Sequence, residues 1–286
     1  MLRKSAVRLL ELVYGDELRA HRIPFGPNVG RYLYTKPSIS VRMLLGIDEP
    51  ELVRVAKRVL RTGDTVYDAG AHIGYTCVLF ASLVGSAGNV QAFELLPSTA
   101  AILRRTLDLN RLTSCTIHEV GLSDSDRSSR ISINERCMGS SEFAQGPDFN
   151  GRADDCRIYR LDSYRRLTPI PSPTLIKIDV EGAEVKALQG AEQTIRESGP
   201  LMIVEFHTAK LLVQGLEWLV DAGYEVMLPK GEPLTVRSAR NLRLFHGSVV
   251  CHKPDCAWHS ERLGPLAFVG RPDSRARERP EIPNNK

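Results

Sequence analysis

The chain has 286 residues, 42% of them hydrophobic and 25% charged, proportions that exclude a disordered or fibrous chain. At this length about three quarters of the unfolded surface can be buried, so neither a disulfide nor a metal is needed merely to fold. The net charge of +4 sits at the ends: residues 1–36 hold seven Lys/Arg against three Asp/Glu and residues 260–286 six against four, which leaves the central 223 residues with 25 basic and 27 acidic groups. A body without a basic excess does not suit a phosphate backbone, so a small or neutral substrate is expected and nucleic acid is not.

Residues 1–44 read as a helical or irregular extension, with a short amphipathic helix in Met1–Glu11, where Arg8 and Glu11 interrupt any signal-like apolar core. From residue 64 short apolar runs alternate with amphipathic ones, the pattern of β-α-β units on a parallel sheet. Thr65–Asp68 is the first strand; a helix around 74–84, a strand at 89–94, a helix at 97–110 and a strand at 115–120 follow. A polar stretch from 121 to about 160 breaks the series and reads as a surface or substrate-side insertion. Pro173–Asp179 restores it, a helix after Gly182 aligns Val185, Leu188, Ala191 and Ile195, and Pro200–Glu205 is another apolar strand. Candidates at 224–228 and 243–250, joined by a Pro- and Gly-containing connection rather than a helix, complete seven strands that end in an antiparallel hairpin. Residues 45–259 thus read as one α/β domain, and the Pro-rich, charged tail from about 260 as unstructured.

No run approaches the 18 or so apolar residues of a membrane span. The six cysteines, at 77, 115, 137, 156, 251 and 256, form no Cys-x-x-Cys pair, which suits a reducing cytosol and a cytoplasmic protein.

Three blocks carry chemistry. Asp68-Ala69-Gly70-Ala71-His72-Ile73-Gly74 leaves a strand and opens a helix, where glycines permit a tight turn and the helix start offers unpaired N–H donors. Its spacing lacks the second glycine of the dinucleotide pattern, which disfavours a pyrophosphate, and a purely structural turn is the competing reading. Glu94 ends the second strand, where a carboxylate can accept both ribose hydroxyls of a nucleoside, unless it is only an exposed strand-end group. Lys177-Ile178-Asp179-Val180-Glu181-Gly182-Ala183-Glu184 sets three carboxylates at another strand end. Alternation puts Lys177 and Asp179 on one side, and Glu184 reads as a helix cap.

These blocks, with Phe93-Glu94, Leu107-Asp108-Leu109-Asn110, Leu188-Gln189-Gly190-Ala191 and Glu205-Phe206-His207, resemble the FkbM-type methyltransferases over about residues 45–210. The resemblance implies a Rossmann-like class I methyltransferase fold, with a seven-stranded, mostly parallel sheet and a C-terminal antiparallel hairpin. It further implies S-adenosylmethionine as cofactor and methyl transfer to a hydroxyl of a sugar, glycan or secondary metabolite. Asp68, Gly70, Ala71, His72 and Gly74 would then cradle the methionine part, Glu94 would hold the ribose, and Ser123 and Asp124 would border the adenine. His72 stands where the family commonly has Asn, and Leu95-Leu96-Pro97 replaces the usual Glu-Pro.

Methyl transfer needs alignment and a destination for the hydroxyl proton, and Asp179, Glu181 and His207, at strand ends facing one crevice, are the candidate catalytic groups, with Asp179 the first choice as base. A divalent cation such as magnesium polarising the hydroxyl is the competing use of a carboxylate there, and the sequence leaves that choice open. Four potential ligands in Cys251–His259 invite zinc, but so compressed a spacing rarely closes a tetrahedron, so strand-end residues are expected and no metal site is assigned. His118 and His246 read as packed or surface histidines. A nucleotide-binding oxidoreductase on a similar sheet and a non-catalytic cofactor-binding domain are the alternative functions. Oligomeric state and acceptor identity are not legible in the sequence.

Overall fold

The structure, a computed structural model, describes residues 15–134, 139–140 and 153–264. A hairpin of β1 (Arg19–Arg22) and β2 (Tyr32–Thr35) leads into α1 (Val41–Leu45) and α2 (Pro50–Val59). In α2 Leu52, Val53, Val55, Ala56 and Val59 point inward while Arg54 and Lys57 stay in solvent, a one-sided apolar stripe at helical spacing. There follow β3 (Thr65–Ala69), α3 (Tyr75–Val84), β4 (Asn89–Phe93), α4 (Pro97–Asn110) and β5 (Cys115–His118). Every residue of β3 is buried, as expected for a central parallel strand covered on both faces.

Residues 121–160 depart from the expected polar interruption. They contain β6 (Gly121–Leu122), β7 (Arg127–Asn134), β8 (Gly139–Ser140) and β9 (Ala153–Tyr159), which form a second sheet in the order β6-β9-β7-β8. Ile131 and Cys156 pack on Leu95 and Leu96 while their neighbours are polar. Strands covered on one face only are half polar, which hides them in composition.

The chain continues through α5 (Leu161–Leu167), β10 (Leu175–Ile178), α6 (Glu184–Gly190), α7 (Glu192–Ser198), β11 (Leu201–Phe206), α8 (Ala209–Asp221), β12 (Glu225–Met227), α9 (Val236–Arg240), β13 (Gly247–His252) and α10 (Ala257–Leu263). The single helix expected after Gly182 is two, divided at Ala191; Leu188, Ala191 and Ile195 are buried as a stripe and Val185 is half-buried.

The main sheet has the order β5-β4-β3-β10-β11-β13-β12, parallel except for β13, which runs antiparallel to both neighbours. This is the Rossmann-like class I methyltransferase arrangement. The antiparallel β12–β13 pair is the expected hairpin, with β13 between β11 and β12 so that β12 forms the edge; one detail differs from expectation, the helix α9 in the connection that joins them. Alternation divides the core into two layers, with Tyr67, Ile176, Ile178, Met202 and Val204 on one face and Val66, Leu175, Leu201 and Ile203 on the other.

The ends also differ from the sequence reading. The extension expected to be helical or irregular contains the β1–β2 hairpin, and α10 carries structure past residue 260. Arg262 secures α10 by pairing with Asp64 and donating to the Val59 carbonyl (3.0 Å). The helix read into Met1–Glu11 lies outside the described residues.

Candidate functional site

A cavity of about 300 Å³ opens at the carboxyl edge of β3, β4 and β10, where open parallel sheets bind ligands. Gly70, Ala71, His72, Glu94 and Ser123 line it, as do Asp179 and Glu181, whereas Asp68, Gly74, Asp124 and His207 do not.

The cradle is built differently from the expectation that its glycines clear space for a ligand. Gly70 has φ +83°, and a Cβ there would meet the Asp179 carbonyl oxygen at 1.7 Å, so its missing side chain lets the turn close on the end of β10. Gly74, at φ +93°, faces Leu103 of α4 at 2.6 Å. His72 occupies the left-handed region at φ 50°, which Asn and His tolerate better than most residues, and this accounts for His in a place where Asn serves as well. Asp68 lies beneath the cradle, fully buried, accepting from Thr76 Oγ1 (2.7 Å) and Cys77 Sγ (3.2 Å).

Glu94 is buried, and its carboxylate accepts the backbone N–H of His72 (2.9 Å) and of Leu96 (2.9 Å). The Leu95-Leu96-Pro97 departure therefore costs nothing here, because the second bond uses the Leu96 backbone. Burial pushes the Glu94 pKa up to about 7 despite those two bonds. A carboxylate has about four acceptor sites, so two remain for hydroxyl donors. Next to Glu94 in the chain or in the fold, Leu95, Val120, Leu122 and Ile158 give the cavity an apolar lining, a slot of the kind a planar base packs on, and buried Ser123 lines it too. Asp124 instead turns to Ser123, Ser125 and Arg127 at the surface. Ile158 belongs to β9, so the inserted sheet walls the end near Glu94 rather than the end near Asp179.

At the Asp179 end the strands bring charged groups together. Lys177 is buried, its Nζ 3.2 Å from Asp179 Oδ2, 3.6 Å from Asp68 Oδ1 and 3.4 Å from the Gly70 carbonyl. Burial works against its charge, but Asp179, Asp68 and Glu49 outweigh it and hold its pKa well above the ordinary lysine value. His207 lies just past β11 with Nδ1 2.8 Å from Glu184 Oε1, and its Nε2 is 3.4 Å from Glu181 and 3.6 Å from Asp179. Burial lowers the imidazole's pKa, but the Glu184 bond and the charges of Glu181, Glu184 and Asp179 prevail and raise it to about 9. Glu184, read from sequence as a cap, does accept Gly182 N–H (2.7 Å), yet it is fully buried and fixes the His207 ring as well.

Glu205, His207 and His246 each place one potential ligand atom within 4.8 Å of the others, and His246 Nε2 lies 3.0 Å from Glu205 Oε1. His246 is thus a surface residue at the site's rim. The Cys251–His259 run is structural in its best-placed member: His259 accepts Lys253 N–H and donates to the Gly199 carbonyl, and burial lowers its pKa to about 4. His118 is packed, stacked on Phe93 and bonded to Gln91 and Tyr164.

Sequence reasoning missed the wall supplied by Ile39, Ser40, Met43 and Glu49, three of which precede the expected domain start at 45. The one local signal was Glu49 before Pro50 at a helix start, where Ser, Thr, Asp or Asn is the usual cap.

A family model described as "Methyltransferase FkbM domain" matches residues 68–226. The chain is 24% identical over 174 residues to "Methyltransferase 1" of Beauveria bassiana (strain ARSEF 2860), covering 52% of this chain and 70% of that protein. Among solved structures it is similar to methyltransferase FkbM from Methylobacillus flagellatus KT (18% identity, TM-score 0.42, 76% of this chain and 53% of that one). It is also similar to precorrin-6y C5,15-methyltransferase from Geobacter metallireducens GS-15 (16% identity, TM-score 0.43, 72% and 87%). With more than half of its length matched by that family model, the chain belongs to the FkbM methyltransferase family.

Proposed function

We propose that the protein is an S-adenosylmethionine-dependent O-methyltransferase acting on a hydroxyl of a sugar, glycan or secondary metabolite, and that it works in the cytoplasm. The observation that carries the reading is Glu94, a buried carboxylate with two acceptor sites left over, between an apolar slot and the Asp179 charge cluster. Base, ribose and methionine would lie along that line, on Leu95 and Leu122, on Glu94, and on the Gly70–His72 turn. Bound there, S-adenosylmethionine supplies an electrophilic methyl group on a sulfonium.

This chain's own residues orient the acceptor and take its proton. Asp179, held by Lys177, and Glu181 receive the hydroxyl. With Asp179, the first choice as base from sequence, paired to Lys177, the proton would go to Nε2 of His207, whose Nδ1–H is fixed on Glu184. His207 must be neutral for this, so turnover by this route rises with pH on the acid side of the imidazole's pKa. A second reading, favoured by the convergence of Glu205, His207 and His246, has a divalent cation polarise the hydroxyl; loss of turnover after dialysis against a chelator, restored by magnesium, would establish it.

The cytoplasmic assignment is supported by five free cysteines among the described residues, and no helix there is long and apolar enough to cross a membrane. Calorimetry with S-adenosylhomocysteine and with NADH tests the cofactor: the first should bind and the second should not. Binding of NADH alone would replace this reading with the oxidoreductase one. Methyl transfer to oxygen is then checked by mass spectrometry over a panel of glycosides and phenols.

A further inference from the structure

The cavity wall on the Asp179 side includes one acidic residue with no assigned task. Glu49 is the residue before Pro50 at the start of α2, in the left-handed conformation at φ 44° and ψ 52°, and its side chain makes no capping bond. Left-handed backbone costs a non-glycine residue about 1–3 kcal/mol and persists where the surroundings impose it. His72 and Glu181, two of the other three described non-glycine residues at positive φ, line the same cavity. The Tyr75 hydroxyl, 3.4 Å from the Asp48 carbonyl, holds the Glu49 segment over the cradle.

Glu49 as a residue is half-buried, but its Oε2 is shut off from solvent and has no hydrogen-bond partner among the described residues. The charges that act on it are Lys177, Asp179, Glu205 and Asp68, all at the ends of β3, β10 and β11, so it stands on the Asp179 side of the cavity it lines. The cations at that end are already committed, Lys177 to Asp68 and Asp179, His207 to Glu184, Glu181 and Asp179, and His246 to Glu205, and Glu49 stands among them without an ion pair among the described residues. Burial raises the Glu49 pKa to about 8, so a cation placed against it would restore its charge.

We propose that Glu49 is the receptor for the α-ammonium group of the cofactor's methionine part, supplied by the segment ahead of the glycine turn. The proposal rests on the S-adenosylmethionine reading and adds a specificity residue to it. An ammonium fills the site because it brings donors to an oxygen that has none and a positive charge to an acidic corner. The ligand's carboxylate is excluded from that corner by the same charge.

The test is a cycle of calorimetric affinities for S-adenosylhomocysteine, its analogue lacking the α-amino group, and 5′-methylthioadenosine, measured on the full chain and on Glu49→Gln. In the unaltered protein S-adenosylhomocysteine should bind at least tenfold more tightly than the desamino analogue. Glu49→Gln should weaken S-adenosylhomocysteine by about 10–100-fold, the scale of a bond to a charged group. It should leave the desamino analogue and 5′-methylthioadenosine within twofold. Unchanged affinity for S-adenosylhomocysteine in Glu49→Gln would overturn the proposal, as would equal losses for all three ligands, which indicate a deformed wall. Glu49→Ala serves as a second variant with the same expected pattern should Glu49→Gln not fold. If the unaltered protein binds 5′-methylthioadenosine but ignores the amino group, the inference fails and the cofactor reading stands; if it binds none of the three, both fail.

Discussion

Glu94 shows how a single buried acid can report on a ligand. In the ligand-free protein burial holds its pKa near 7, above the usual 4.5 of a glutamate. Hydroxyl donors from a ribose favour the ionised form and lower that pKa on binding, so a proton is released below about pH 7. The sign follows: affinity rises as pH is raised toward 7 and is flat above it. The probe of choice is 5′-methylthioadenosine, which carries the ribose but no ammonium and so keeps Glu49 out of the measurement. Titrations from pH 5.5 to 8.5 should show this limb, steepest at no more than tenfold per pH unit, and Glu94→Gln should abolish it and weaken binding by about 1.5–3 kcal/mol. A pH-independent affinity in the unaltered protein would remove Glu94 from the ribose site.

Between elements, the glycine turn acts as a joint as well as a ligand platform. Gly70 brings β3 against the end of β10, and Gly74 brings the start of α3 against α4. An added methyl at Gly70 would meet backbone, which cannot yield, whereas at Gly74 it would meet the far end of a leucine, which can. Both substitutions incur the left-handed cost of about 1–3 kcal/mol, and Gly70→Ala adds a collision. Gly70→Ala should therefore lower Tm by more than Gly74→Ala, each kcal/mol being worth about 2–4 °C at this size. Equal shifts in thermal unfolding would contradict the backbone contact with Asp179. Asn110 is another such joint: it exchanges bonds with the Tyr32 N–H (2.9 Å) and carbonyl (2.7 Å), and with Tyr34 N–H on Thr106 (3.1 Å) it ties the hairpin to α4. Its place in the Leu107–Asn110 block is explained by packing rather than by ligand binding.

Over the whole molecule, the proposed chemistry depends on two strand ends and a helix start that the folded sheet brings together. Asp179 follows β10, His207 follows β11, and Glu184 starts α6 between them. Asp179→Asn keeps size and polarity but loses the charge that orients the acceptor, and should lower turnover by about 10²-fold or more while changing cofactor affinity little. His207→Gln should lower it comparably. In the unaltered enzyme turnover should rise with pH on the acid side of a pKa at or below about 9, since only the neutral imidazole accepts a proton, and His207→Gln should lose that limb. Loss of activity in step with cofactor affinity or Tm would instead make Asp179 a binding or structural residue.

Sequence alone determined the alternation of strands and helices, the glycine turn, the strand-end carboxylates and the family, because buried parallel strands are continuous apolar runs and the turn needs particular residues at fixed spacing. It also placed Lys177 and Asp179 on one side of their strand, since alternation is a local property. The second sheet stayed hidden because its strands are half polar, and the divided helix because a lone glycine, Gly190, is tolerated inside a helical pattern. Only tertiary structure decided that Gly70 faces a carbonyl of the protein, that Glu184 orients His207 from 23 residues away, and that Glu49 turns into the cavity. Each of these depends on which strand ends become neighbours, and a folded sheet sets that order by pairing across the chain, where the spacing of residues along it carries no record.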